Sequence, residues 1–99
     1  PADVIGLAFN PAVVRSAHVE YSIYRHHLTP FAELAAVGTL RLIYKPVAGT
    51  WALDDTYAGD NAGVTFSVTP SGQVQYTSSD LGSAPTTSEM KFRAWVTGA

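Results

Sequence analysis

Apolar and polar residues alternate with a period of two along most of the chain. Val64, Phe66 and Val68 interleave with Thr65 and Ser67; after Pro70-Ser71-Gly72 the pattern resumes, Val74 and Tyr76 falling between Gln73, Gln75 and Thr77. Two such runs around a glycine-containing turn predict a β-hairpin. Met90, Phe92, Ala94 and Val96 alternate with Lys91, Arg93 and Trp95 near the end of the chain. Earlier, Val19, Tyr21 and Ile23 alternate with His18, Glu20, Ser22 and Tyr24, and Leu40, Leu42 and Tyr44 with Thr39, Arg41, Ile43 and Lys45 after Gly38. Asp3 to Phe9 predicts a first strand, broken by Asn10-Pro11, and Thr50 to Leu53 a short one. The pattern therefore predicts an all-β fold of about seven strands, an antiparallel sandwich or jelly-roll-like barrel.

Two segments depart from the alternation. Thr29-Pro30 followed by Phe31 to Ala35 places a capping residue and a proline where a helix would start, predicting at most one or two helical turns, with a plain loop as the alternative. The small and polar residues from Ser78 to Ser88 predict a long exposed loop. Residues 1–17 read as an N-terminal arm or first strand and 18–99 as the sandwich domain; Asp3 and Pro11 argue against a targeting segment at the start.

Composition sharpens this picture. With 99 residues the chain suits one domain. Hydrophobic residues make up 46% and charged residues only 14%, so part of the apolar surface is left outside a core of this size. Such a surface suits contact with further copies. No apolar run approaches the ~20 residues of a membrane helix, and a net charge of −2 gives no general attraction for nucleic acid.

Candidate chemistry is sparse. The chain has no cysteine, no G-x-S-x-G elbow, and histidine only at positions 18, 26 and 27. His18 and Ser22 share a strand face but stand too far apart for a nucleophile–base pair, so no catalytic residue is assigned. Adjacent His26 and His27 point to opposite faces of a strand, which suits a solvated loop better than one metal ion. Asp54-Asp55 with Asp60-Asn61 offers hard oxygen ligands for calcium, but also the residues that build tight turns; no metal or cofactor is assigned. Lys91, Arg93 and Trp95 lie on one side of the last strand, with Arg41 and Lys45 available from a neighbour. A subunit interface explains this face better than bound nucleic acid. Tyr24, Trp51, Tyr57 and Trp95 supply rings for a glycan platform or a protein contact. The candidate interface or ligand residues are therefore Tyr24, Arg41, Trp51, Tyr57, Arg93 and Trp95.

Several blocks occur in a fixed order: Glu20-Tyr21-Ser22-Ile23-Tyr24-Arg25, Gly38-Thr39-Leu40-Arg41-Leu42, Leu53-Asp54-Asp55-Thr56-Tyr57, Gly63-Val64-Thr65-Phe66-Ser67-Val68, Val74-Gln75-Tyr76-Thr77-Ser78 and Met90-Lys91-Phe92-Arg93. Over residues 18 to 94 this order resembles a small β domain of tailed-bacteriophage virion proteins, found at the ends of tail fibres and tailspikes or as a capsid-decorating protein. The segment from His26 to Val37 is longer than that pattern, and residues 1–17 have no counterpart in it. The resemblance implies a non-enzymatic virion protein, assembled in the host cytoplasm. It also implies a homotrimer, capsid or tail proteins as partners, and a host surface glycan as a ligand where the domain serves as an adhesin.

Overall fold

The computed structural model of the chain describes residues 1–28, 31–78 and 87–99. Among the described residues there are seven strands and no helix: β1 (Ala2–Ala8), β2 (Val14–Leu28), β3 (Phe31–Lys45), β4 (Thr50–Gly59), β5 (Val64–Val68), β6 (Gln73–Ser78) and β7 (Thr87–Gly98). They form a three-stranded sheet, β1-β6-β5, and a four-stranded sheet, β4-β3-β2-β7. Every pairing is antiparallel. The all-β, two-sheet architecture thus follows the alternation read along the chain.

Four local expectations need correction. Phe31 to Ala35 is strand, paired through Leu34↔Arg25 and Ala35↔Tyr24 with β2, so the ladder prevails over the helix-start signal; Thr29 and Pro30 lie outside the described residues. His26-His27 is not loop but part of β2. The strand beginning at Thr50 continues through Asp54-Asp55 to Gly59, because side-chain bonds to β2 and β3 satisfy both aspartates within the sheet. Ser78, Thr87 and Ser88 belong to strands, while residues 79–86 of the expected loop lie outside the described residues.

The interior follows from strand periodicity. Ala17, Val19, Tyr21 and Ile23 of β2 face inward beside Leu40 and Leu42 of β3, and meet Val4, Leu7, Phe66 and Val74 of the smaller sheet. Residues 1–9 are part of this interior: Val4, Leu7 and Phe9 are buried. The register of β1 against β6 shifts between Asp3 and Ala8, and there the Gln73 amide donates to the carbonyls of Val4 (3.1 Å) and Leu7 (3.4 Å). That amide replaces ladder bonds that an irregular strand cannot make.

Two glycines fix how closely the strands approach. Gly38 lies in β3 beneath the Tyr21 ring; a Cβ there would fall 2.5 Å from the Tyr21 hydroxyl and 2.8 Å from the Thr56 carbonyl. Gly72, at φ +95°, sits so close to β1 that a Cβ would fall only 1.9 Å from the Phe9 carbonyl, and its own carbonyl accepts from the Phe9 amide at 2.8 Å.

The sheets differ in length. β2 and β3 are 15 residues each, while β5 and β6 have 5 and 6. The short sheet cannot cover the long one. The molecule measures 50 × 21 × 18 Å with a radius of gyration of 14.9 Å, against ~13 Å for a compact 100-residue domain.

Candidate functional site

The uncovered part of the long sheet is β7. Among the described residues it pairs with β2 along one edge and with no strand along the other, and every residue from Lys91 to Ala99 is exposed. Strand alternation sends Phe92, Ala94 and Val96 to the inner face and Lys91, Arg93 and Trp95 to the outer one, and beyond Met90, which packs against the core, both faces of the strand are exposed. Phe92 is 38% exposed, Trp95 50% and Val96 55%.

On the inner side, β1 and β7 stand apart and leave a cleft of about 420 Å³ lined by residues including Asp3, Ile5, Arg25, Tyr76, Met90 and Phe92. Its floor is Arg25, a buried cation. The Arg25 guanidinium donates through Nη1 to the Ala62 carbonyl (2.7 Å) and through Nε to Ser88 Oγ (3.2 Å), tying β2 to the approach of β5 and to β7. At the mouth Ile5 is 91% exposed, and the Phe92 ring reaches Gly6 of β1. The acidic residues at its edge are Asp3, whose carboxylate accepts from Gln75 Nε2 at 2.9 Å, and Glu89, whose side chain alternation sends to the outer face; no histidine is among its lining residues.

On the outer side, the register aligns Trp95, His18, Arg41 and Asp54 in one row across the sheet, and Arg93, Glu20, Thr39 and Thr56 in the next. Three sequence-predicted residues, Arg41, Arg93 and Trp95, are thereby brought to one face. Arg41 Nη2 donates to Asp54 Oδ2 at 2.6 Å, Arg93 lies 3.6 Å from Glu20, and the Arg93 guanidinium sits 5.0 Å from the centre of the Trp95 ring. Four bases on this face, Arg41, Lys45, Lys91 and Arg93, are matched by Glu20, Glu33, Asp54 and Glu89. The face carries no net field for a polyanion.

The other predicted residues go elsewhere. Tyr24 shares the outer face with Trp95 but lies near its far end, roughly 20 Å along the strand. Its hydroxyl donates to Glu33 at 2.5 Å, a bond that raises its pKa above the ordinary tyrosine value. Trp51 is not a surface residue: it is buried against Phe9 and Tyr44, with ring centres 6.2 and 5.3 Å away. Tyr57 projects from the inner face of β4, on the side opposite β7. The four rings therefore form no common platform.

The acidic group is likewise dispersed. Asp54 bonds Arg41 on the outer face, while Asp55 accepts the Tyr21 hydroxyl at 2.7 Å on the inner face. Asp60 accepts the Ala35 amide (3.0 Å), tying the end of β4 to β3, and Asn61 accepts the Gly63 amide (3.0 Å), the local bonding of a turn. Burial and then the Asp55 bond push the Tyr21 pKa well above its ordinary value.

Sequence reasoning did not single out Ile5, Phe92, Val96 or Tyr76. Alternation marks such residues as core; Phe92 and Val96 are left exposed on β7, Tyr76 borders the cleft, and Ile5, next to buried Val4, points away from the interior. Compared with known proteins, the chain matches no family model, no curated protein and no solved structure.

Proposed function

We propose that this chain is a non-enzymatic structural protein of a bacteriophage virion. In this reading it is a β-sandwich that associates with its own copies as a homotrimer, on the capsid or at the end of a tail fibre or tailspike. The observation that carries the association is β7, exposed on both faces from Lys91 onward, with Phe92, Trp95 and Val96 partly in solvent. The accessible surface supports it: 6018 Å², against about 5,400 Å² for a compact monomer of this mass. The virion assignment is supported by the ordered blocks from Glu20 to Arg93 and their resemblance to phage tail and capsid domains. Sedimentation velocity at micromolar concentration tests the association: a mass of three chains is expected, and a monomer refutes it. Peptides of this chain in purified particles test the location.

A second reading, a glycan-binding module at a fibre tip, draws support from Trp95 alone. Its ring is half-exposed beside hydrogen-bonding groups of His18 and Arg93. Glycan-array binding that disappears in Trp95→Ala would favour it.

A further inference from the structure

We infer that the copies join edge to edge, the free edge of β7 in one pairing with the free edge of β4 in the next, so that the four-stranded sheets run on from subunit to subunit. This rests on the association proposed above and specifies its surface.

Direction and length come first. In the order β4-β3-β2-β7 with every pairing antiparallel, the two outermost strands run in opposite directions. A β7 placed beside the β4 of another copy therefore continues the antiparallel pattern without inverting either sheet face. The strands have 12 and 10 residues. Of the three registers that pair all of β4, one keeps the inner and outer faces in line: Thr50 opposite Thr97, through to Gly59 opposite Ser88.

Charge then selects the partner. β7 carries Glu89, Lys91 and Arg93, net +1, and β4 carries Asp54 and Asp55, net −2. In the longest registers that keep the sheet faces in line, β7 with β7 sets Lys91 opposite Arg93 or Arg93 opposite itself, and β4 with β4 sets Asp54 or Asp55 opposite itself. Pairing β7 with β4 sets opposite ones together. In the full-length register Asp54 stands opposite the neighbour's Arg93, two side chains that are 58% and 72% exposed in the single chain. The same register sets the large Trp95 against the small Ala52, and Ala94 against Leu53. A head-to-tail contact of this kind closes into a ring when the rotation between copies is right, which a trimer requires.

The test uses charge reversal and a cross-link in the full chain, with circular dichroism confirming the fold. Asp54→Arg and Arg93→Asp should each reduce the sedimenting mass from three chains to one, and combining them should restore it. Trimers from both single variants would overturn the edge pairing while leaving self-association standing; a monomeric parent protein would overturn both. The chain has no cysteine, so Thr56→Cys with Lys91→Cys gives an unambiguous second readout. Oxidation should yield a covalent trimer on a non-reducing gel. A trimer in solution that does not cross-link, or Lys91→Cys alone cross-linking to a dimer, counts against the head-to-tail edge.

Discussion

At the residue scale the centre of the sandwich depends on Tyr21 and Gly38. The tyrosine ring lies across the glycine, packs on Phe66 with centres 5.0 Å apart, and reaches Asp55 on the far strand. Glycine in mid-strand normally weakens a sheet, but here its missing side chain is the space the ring occupies. Gly38→Ala should cost about 2–3 kcal/mol, because the new methyl group meets both the phenol and the Thr56 backbone, which cannot swing away. Chemical denaturation would measure it. Tyr21→Phe leaves Asp55 without its donor and should cost ~1.5–3 kcal/mol at neutral pH. It also has a pH signature. With the folded pKa raised above the unfolded value of about 10, the folded chain holds the phenolic proton more tightly. Stability is then full below pH ~10 and falls as pH rises beyond it. Denaturation midpoints above pH ~10 should fall less steeply in Tyr21→Phe than in the parent protein.

At the scale of elements, β1 decides where the molecule ends. Removing residues 1–9 takes Val4, Leu7 and Phe9 from the interior and strips the β6 edge, so the truncated chain should lose its cooperative thermal transition. Leu7→Ala alone should cost ~2–5 kcal/mol, against little change for exposed Ile5→Ala. A transition retained after the truncation would mean that the sandwich closes without β1. The same strands show what the sequence makes legible. β5, β6 and the inner face of β7 are evident from alternation: Val64, Phe66 and Val68, then Val74 and Tyr76, then Met90, Phe92, Ala94 and Val96 each fall at every second position. The placing of Arg93 and Trp95 on the outer face, with Arg41 beside them, is evident for the same reason. The reach of β2 and β3 was not, since Thr29-Pro30 has the local chemistry of a helix start and only pairing between strands extends Phe31 to Lys45. Nor was β4, where two consecutive aspartates look like a turn until Arg41 and Tyr21 are brought to them from other strands. Burial of Trp51 depends on Phe9 and Gly72, distant in sequence, and local pattern contains no trace of it.

For the whole molecule, association and folding are linked by mass action. If three folded chains unfold to three separate ones, each tenfold rise in concentration adds ~2.7 kcal/mol per trimer, or ~0.9 kcal/mol per chain. In a domain this small, ~0.9 kcal/mol corresponds to a shift of roughly 4–7 °C in melting temperature. A monomer would show none. Thermal melts across two decades of concentration should therefore rise by ~8–14 °C in the parent protein. They should stay flat in Asp54→Arg, whose core is untouched and whose lost partner, Arg41, is an exposed pair worth little. A flat parent series would place the whole stability of this fold within one chain, leaving the bare β7 strand as a surface that the molecule tolerates without a partner.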